Sequence, residues 1–205
     1  MSLFPTLASA TWVLDFILNN VWLAIGVWAV LYCLDYVFTI TAARWYRDGA
    51  HQHFVFPEGI ELNPFFQDDI AKIRKISFRF CLMLLVISGL FLIVYIVQIP
   101  EAFAVLWGMF VGIQLANHCR HLHGLAAYFH ARRSVGLSGK IQYEHWLSLR
   151  LAAVDFFCFG LLFLILFLFW GHFFALGAAL GCLSLMLRLL MASVKKRKSS
   201  AKNEL

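Results

Sequence analysis

Charge is what this chain has least of. Only 14% of its 205 residues are Asp, Glu, Lys or Arg, against 62% hydrophobic, and the mean hydropathy is +0.78. Soluble domains are about one-quarter charged. A soluble chain of this length could not cover so much apolar surface with polar groups, so the excess must face lipid. No Lys or Arg precedes Arg44. Residues 1–19, broken by Pro5, Asp15, Asn19 and Asn20, therefore lack the basic start of a secretory signal and read as an interfacial helix around 6–18. The five cysteines (Cys33, Cys81, Cys119, Cys158 and Cys182) include no C-x-x-C pair, which argues against a disulfide framework and leaves them as small apolar packing residues. There is no G-x-S-x-G, no phosphate-cradling glycine loop and no N-x-S/T acceptor. The basic residues are not interleaved on a soluble face, which excludes a nucleic-acid partner.

What is present is apolar length. Stretches at 20–43, 77–99, 101–120, 149–170 and 172–194 each suffice to cross about 30 Å of hydrocarbon at about 1.5 Å per residue. The expected fold is an all-α polytopic integral membrane protein with five transmembrane helices. It forms a single transmembrane domain over 1–194, followed by a basic cytoplasmic tail at 195–205. All 17 basic residues except Arg188 fall in the segments 44–79 and 119–150 and in the tail. The turns near Pro100 and Gly171 have none. Positive residues stay inside, so the N-terminus is expected out and the C-terminus in. Trp22 and Trp170 then mark one interface, and Trp45, Tyr143 and Trp146 the other. This pattern suits a multi-pass protein of the bacterial inner (plasma) membrane. Its partners are the lipid bilayer and either further copies of itself or a larger membrane complex. The terminal Lys-Asn-Glu-Leu resembles a luminal retention signal but falls on the cytoplasmic side, where nothing reads it.

Capping signals refine the elements. Asn63 can cap a helix that begins at Pro64, with Asp68 and Asp69 near its start, and that lies along the inner surface on Phe65, Phe66, Ile70 and Ile73 before leading into the second span. Pro100 and Glu101 start the third span in the same way. The third helix is expected to outlast the bilayer, run to about Ser134 and stop at Gly136 and Gly139. The segment "QLANHCRHLHGLAAYFH", which holds half of the eight histidines, thus lies on a helix leaving the membrane.

Two carboxylates sit where charge is expensive. Asp35 lies nine residues before Arg44, about 13 Å from the inner side, and Asp155 lies five residues after Arg150, about 7 Å in. A charge near the bilayer centre costs about 2.5–3.5 kcal/mol, so each is expected to face the bundle interior beside a partner. Both sit in a Leu-x-x-aliphatic-Asp-aromatic context, as an antiparallel pseudo-repeat would have and as chance also gives. Gln114, His118 and His121 share one helix face, while His123 and His130 share another. His118 and His121 with carboxylates from other helices make a sufficient donor set for zinc, iron or manganese, which His51 and His53 could complete. Haem ranks behind a divalent metal. It would pair His118 or His121 with His145 at the inner side, and the outer half offers no second pair. His172 stands alone at an outer turn.

Asp35-x-x-x-Thr39 followed by Glu61-Leu62-Asn63-Pro64 resembles the opening of a group of small bacterial multi-span membrane proteins with no assigned activity. The resemblance covers about 30 of 205 residues. It implies that Asp35, Thr39, Glu61 and Asn63 form one inner-face site. Joined to the residue-level reading, the expected site comprises Asp35, Thr39, Glu61, Asn63, Gln114 and Asp155 for an ion or substrate, with His118 and His121 for a metal. Three functions stay open. The first is a channel- or transporter-like protein for a cation or proton. The second is a metal-dependent membrane enzyme. The third is a non-catalytic subunit of a membrane complex.

Overall fold

A computed structural model describes residues 12–56, 61, 65–74, 76–133, 136 and 138–203, with side chains through 199. The described helices are α1 (Trp12–Leu18), α2 (Val21–Arg47), α3 (Gln67–Ala71), α4 (Phe78–Ile96), α5 (Pro100–Ala131), α6 (His145–Trp170) and α7 (Phe173–Asn203). A 3-10 turn spans Ala50–Gln52, and two short strands, β1 (Phe54–Val55) and β2 (Ile141–Gln142), pair in parallel. Five helices (α2, α4, α5, α6 and α7) are long and apolar enough to cross a membrane, one for each stretch expected. Their outward rows are bare hydrocarbon, among them Leu85, Ile93, Leu168 and Phe169. α1 supplies the end of the expected interfacial helix, whose residues 6–11 lie outside the described set.

α5 is the axis of the bundle. Its 32 residues span about 48 Å, more than the hydrocarbon core. α2 packs on one flank and α7 on the other. α6 packs on α7, and α4 lies against α2 and α5. On the α7 flank the two backbones meet through Gly108-x-x-x-Gly112 and Gly177-x-x-x-Gly181. A methyl group at Gly177 would stand 2.0 Å from the Val105 carbonyl oxygen, and one at Gly108 would stand 2.2 Å from that of Phe174. Gly112 faces Ala178 and Gly181 faces Met109, so the helices run parallel in a fixed register. Small residues of this spacing let transmembrane helices approach closely, with Cα–H···O contacts between their backbones.

The α2 flank is built from rings. Trp28, Phe91 and Trp107 are buried. Trp28 meets Phe91 and Phe110 edge-on, at 5.6 and 6.2 Å between centroids. Trp107 Nε1 donates to the Ala24 carbonyl at 2.9 Å. Further along, Thr39 reaches His121, so α2 and α5 are also parallel.

The turns follow their residues. Pro100 takes the first turn of α5, as expected. Gly171 closes α6 in the left-handed conformation at φ 66°, its N–H donating to the Phe167 carbonyl at 2.7 Å. The segment before α4 departs from expectation. α3 begins at Gln67 and lasts five residues, and it does not run into the second span. Ile73 takes a positive φ of 48°, and Ser77 opens a separate helix by accepting the Phe80 N–H. Asp69 causes the break. Its buried carboxylate takes a hydrogen bond from Ser77 at 2.5 Å and a salt bridge from Arg74 at 3.0 Å, which folds the chain back on itself. Ile70 is accordingly buried against Ile40 and Ala43 of α2, not dipped into lipid. Pro64 lies outside the described residues.

α5 ends at Ala131, ahead of Gly136, while Ser134 is outside the described residues. The two loops on this basic face are clipped together. Ile141 N–H donates to the His53 carbonyl at 2.8 Å and Tyr143 N–H to the Val55 carbonyl at 2.9 Å. α7 continues as one helix through Asn203, so the basic tail extends the fifth span.

Candidate functional site in the seam between α2 and α5

Asp35 and His121 meet inside the bundle. Their Oδ1 and Nε2 atoms stand 3.1 Å apart, an ion-pair distance without the alignment of a hydrogen bond. Both side chains are largely covered, at 19% and 27% exposure. Thr39 fixes the proton. Its hydroxyl donates to the Asp35 backbone carbonyl at 2.9 Å, leaving its oxygen free only to accept at His121 Nε2, 3.3 Å away. His121 Nε2 therefore carries hydrogen and gives it to the hydroxyl, with the Asp35 carboxylate beside it at ion-pair distance.

One turn earlier on α5 the arrangement reverses. His118 Nδ1 lies 2.5 Å from the Gln114 backbone carbonyl, which can only accept. The proton sits on Nδ1, and Nε2 faces inward. His118 Nε2, Gln114 Oε1 and Asp35 Oδ1 are all buried without a hydrogen-bond partner, and Gln114 is 8% exposed. Tyr32 OH and Trp28 Nε1, on the same flank of α2, are also orphaned. Three of the six buried orphan polar atoms among the described residues thus belong to Asp35, Gln114 and His118; Trp28 and Tyr32 also pack on α4 through Phe91 and Phe80, and the sixth is Ser148 Oγ. Each such atom in a dry interior costs about 1–3 kcal/mol.

No family model, no curated protein and no solved structure matches this chain.

Of the expected site, the structure brings Asp35, Thr39 and His121 together, with Gln114 and His118 on the same face. Asp155 departs from expectation. It does not face the interior: its side chain is half exposed, and it pairs with Arg120 Nε at 3.2 Å. Arg120 also lies over the Phe156 ring at 5.4 Å and within electrostatic range of the Glu61 and Asp35 carboxylates. Sequence reasoning counted Arg120 only as a topology marker. Its position one residue before His121 was the available signal, because the next residue on a helix faces a different neighbour. Glu61 reaches the site's edge through Arg120, and its own backbone carbonyl accepts from Gln67. Asn63 lies outside the described residues.

The metal expectation finds two donors in contact, Asp35 and His121. Among the described residues no three His, Cys, Asp or Glu side chains converge as a ligand set. His118 gives Nδ1 to a backbone carbonyl and lies edge-on to Phe38. His51 Nδ1 faces the Tyr46 carbonyl and His53 Nδ1 faces that of Gly139, so both serve the loop fold. At the opposite end, His172 is not alone. Its Nδ1 accepts the Phe174 N–H, which leaves Nε2–H for Asp15 at 3.2 Å. Both residues edge a cavity of about 340 Å³ with Glu101 and Gln98. The five cysteines are free.

Proposed function

We propose that this chain is a channel- or transporter-like membrane protein for a cation or proton, with the seam between α2 and α5 as its working site. The observation that carries the reading is the Asp35–His121 pair, an acid within the apolar span of α2 held against a base where α5 leaves its apolar stretch. A carboxylate costs several kcal/mol at that depth, and such residues commonly mark ion or proton pathways. Histidine changes charge near neutral pH and can pass a proton on to its neighbour. The orphaned polar atoms beside the pair support the same reading, because a dry structural seam would leave them unsatisfied. The positive residues at the far ends of α2, α5 and α7 support an inner-membrane setting with that face toward the cytoplasm.

The test is reconstitution into lipid vesicles. Asp35→Asn is expected to remove cation- or proton-driven flux while leaving the detergent-solubilised protein monodisperse. Undiminished flux in a folded Asp35→Asn protein rejects the reading.

A further inference from the structure

The end of the bundle opposite the basic face carries a second polar site. Its Glu101 lies about 20 Å along α5 from Gln114. Four elements wall it: the end of α1, the turn after α4, the start of α5 and the turn between α6 and α7. Two contacts clasp them. His172 Nε2–H meets Asp15 Oδ1 at 3.2 Å, and Tyr95 OH donates to the Asn19 carbonyl at 3.2 Å. The cavity between these elements is about 340 Å³. That is at the small end of the roughly 300–1,000 Å³ over which pockets take small molecules.

The charge of this cavity is one-sided. Asp15 and Glu101 both line it, and both are exposed. The segments that build this end, 12–43, 80–119 and 151–187, contain no Lys or Arg. Asp15 has His172 for a partner, and no basic side chain pairs with Glu101 among the described residues. Two helix starts that would attract an anion are answered within the chain. Glu101 occupies the first turn of α5, and the first turn of α7 gives the Phe174 N–H to His172 Nδ1 at 3.1 Å. Side-chain donors are mostly spent as well. His172 and Tyr95 make the contacts above, and the Gln98 amide donates to the Tyr95 carbonyl at 3.1 Å, which leaves the Asn19 amide as the fourth. The other half of the lining is apolar, with Leu18, Phe103 and Phe173 among it.

A guest that suits both halves is positive and partly apolar. A divalent ion needs several ligands converging on one point, and no three His, Cys, Asp or Glu side chains do so among the described residues. A hydrocarbon chain would strip water from two carboxylates and return no hydrogen bond. An ammonium offers three N–H donors to the carboxylates, and an apolar body beside it covers the rings.

We propose that this cavity binds a small organic cation from solution, a protonated amine joined to an apolar body, through Asp15 and Glu101. The site goes beyond the transport reading and does not rest on it, because binding is measured at equilibrium without any flux.

The test is calorimetric titration of the full chain in dodecyl maltoside, which carries no amine, with phenethylammonium at neutral pH. Phenethyl alcohol and phenylacetate are the controls of like shape. One saturable site per chain is expected for the ammonium. The alcohol should bind about tenfold more weakly, as for a lost hydrogen bond to a charged group, and phenylacetate should not bind. Asp15→Asn and Glu101→Gln should each weaken binding about fivefold, the smaller factor following from their exposure. Glu101→Gln decides the matter where Asp15→Asn loosens α1, and Asp155→Asn at the far end should bind as wild type. Vesicles with and without phosphatidylethanolamine separate a free amine from a lipid headgroup, and equal affinity in both is expected. Competition by that lipid assigns the cavity to the headgroup ammonium and overturns the free-amine assignment. No saturable binding at millimolar amine, equal binding of the alcohol, or full affinity in Glu101→Gln overturns the proposal outright.

Discussion

The two flanks of α5 solve the same packing problem in opposite ways. Against α7 the helix shows glycine, and the two backbones touch so closely that a single methyl at Gly177 would overlap a carbonyl oxygen. The buried residues on that side, Ala116, Ala178, Ala179 and Cys182 among them, are small and apolar. Against α2 the helix carries Trp107, Gln114, His118 and His121, and the space is filled by rings and by polar atoms without partners. Water cannot satisfy a polar group in hydrocarbon, so a purely structural seam would resemble the first flank, not the second. The α7 flank holds the bundle together, and the α2 flank is the one we propose carries its chemistry.

The largest expected break in that contrast is on the glycine side. Gly177→Leu forces the helices apart and should cost about 3 kcal/mol or more. The measurement is the yield of monodisperse protein in detergent and its melting temperature. Gly26→Leu, at a glycine with nothing within 4 Å, should behave as wild type. If both variants melt alike, the α5–α7 seam is not the structural one. On the α2 flank, Trp107→Phe removes both the bond to the Ala24 carbonyl and half of a buried indole, for an expected loss of about 2 kcal/mol in chemical denaturation.

The second break compares the two acid–base pairs. A double-mutant cycle with Asp35→Asn and His121→Gln should show a coupling of about 1 kcal/mol or more, as for a largely covered charged contact. The cycle for Arg120→Gln and Asp155→Asn should stay below about 0.5 kcal/mol, because Asp155 is half exposed and screened. Equal couplings would remove the distinction between the two carboxylates.

The sequence made the five spans legible because apolar length is a composition property and needs no partner. The start of α5 at Pro100 was legible for the same local reason. The helix before α4 was misread because Asp69 looks like a helix-start acid in isolation. Only the fold brings it Ser77 and Arg74 and so turns it into the centre of a bend. The candidate site was half legible. Helical spacing put Gln114, His118 and His121 on one face, and depth singled out Asp35. Which carboxylate the histidines meet depends on which helix flanks α5, and that is set by the glycine pattern at Gly108, Gly112, Gly177 and Gly181, which the sequence reading passed over. The shared context of Asp35 and Asp155 suggested equivalent roles. The structure pairs a largely covered Asp35 with a histidine and a half-exposed Asp155 with an arginine.

The most direct measurement is flux across vesicles for Asp35→Asn and Asp155→Asn side by side, each checked for equal incorporation and an unchanged melting temperature. Asp35→Asn should lose the pH- or cation-driven signal and Asp155→Asn should keep most of it. Loss in Asp155→Asn with retention in Asp35→Asn, or equal behaviour of the two, would contradict the assignment of the working site to the seam between α2 and α5.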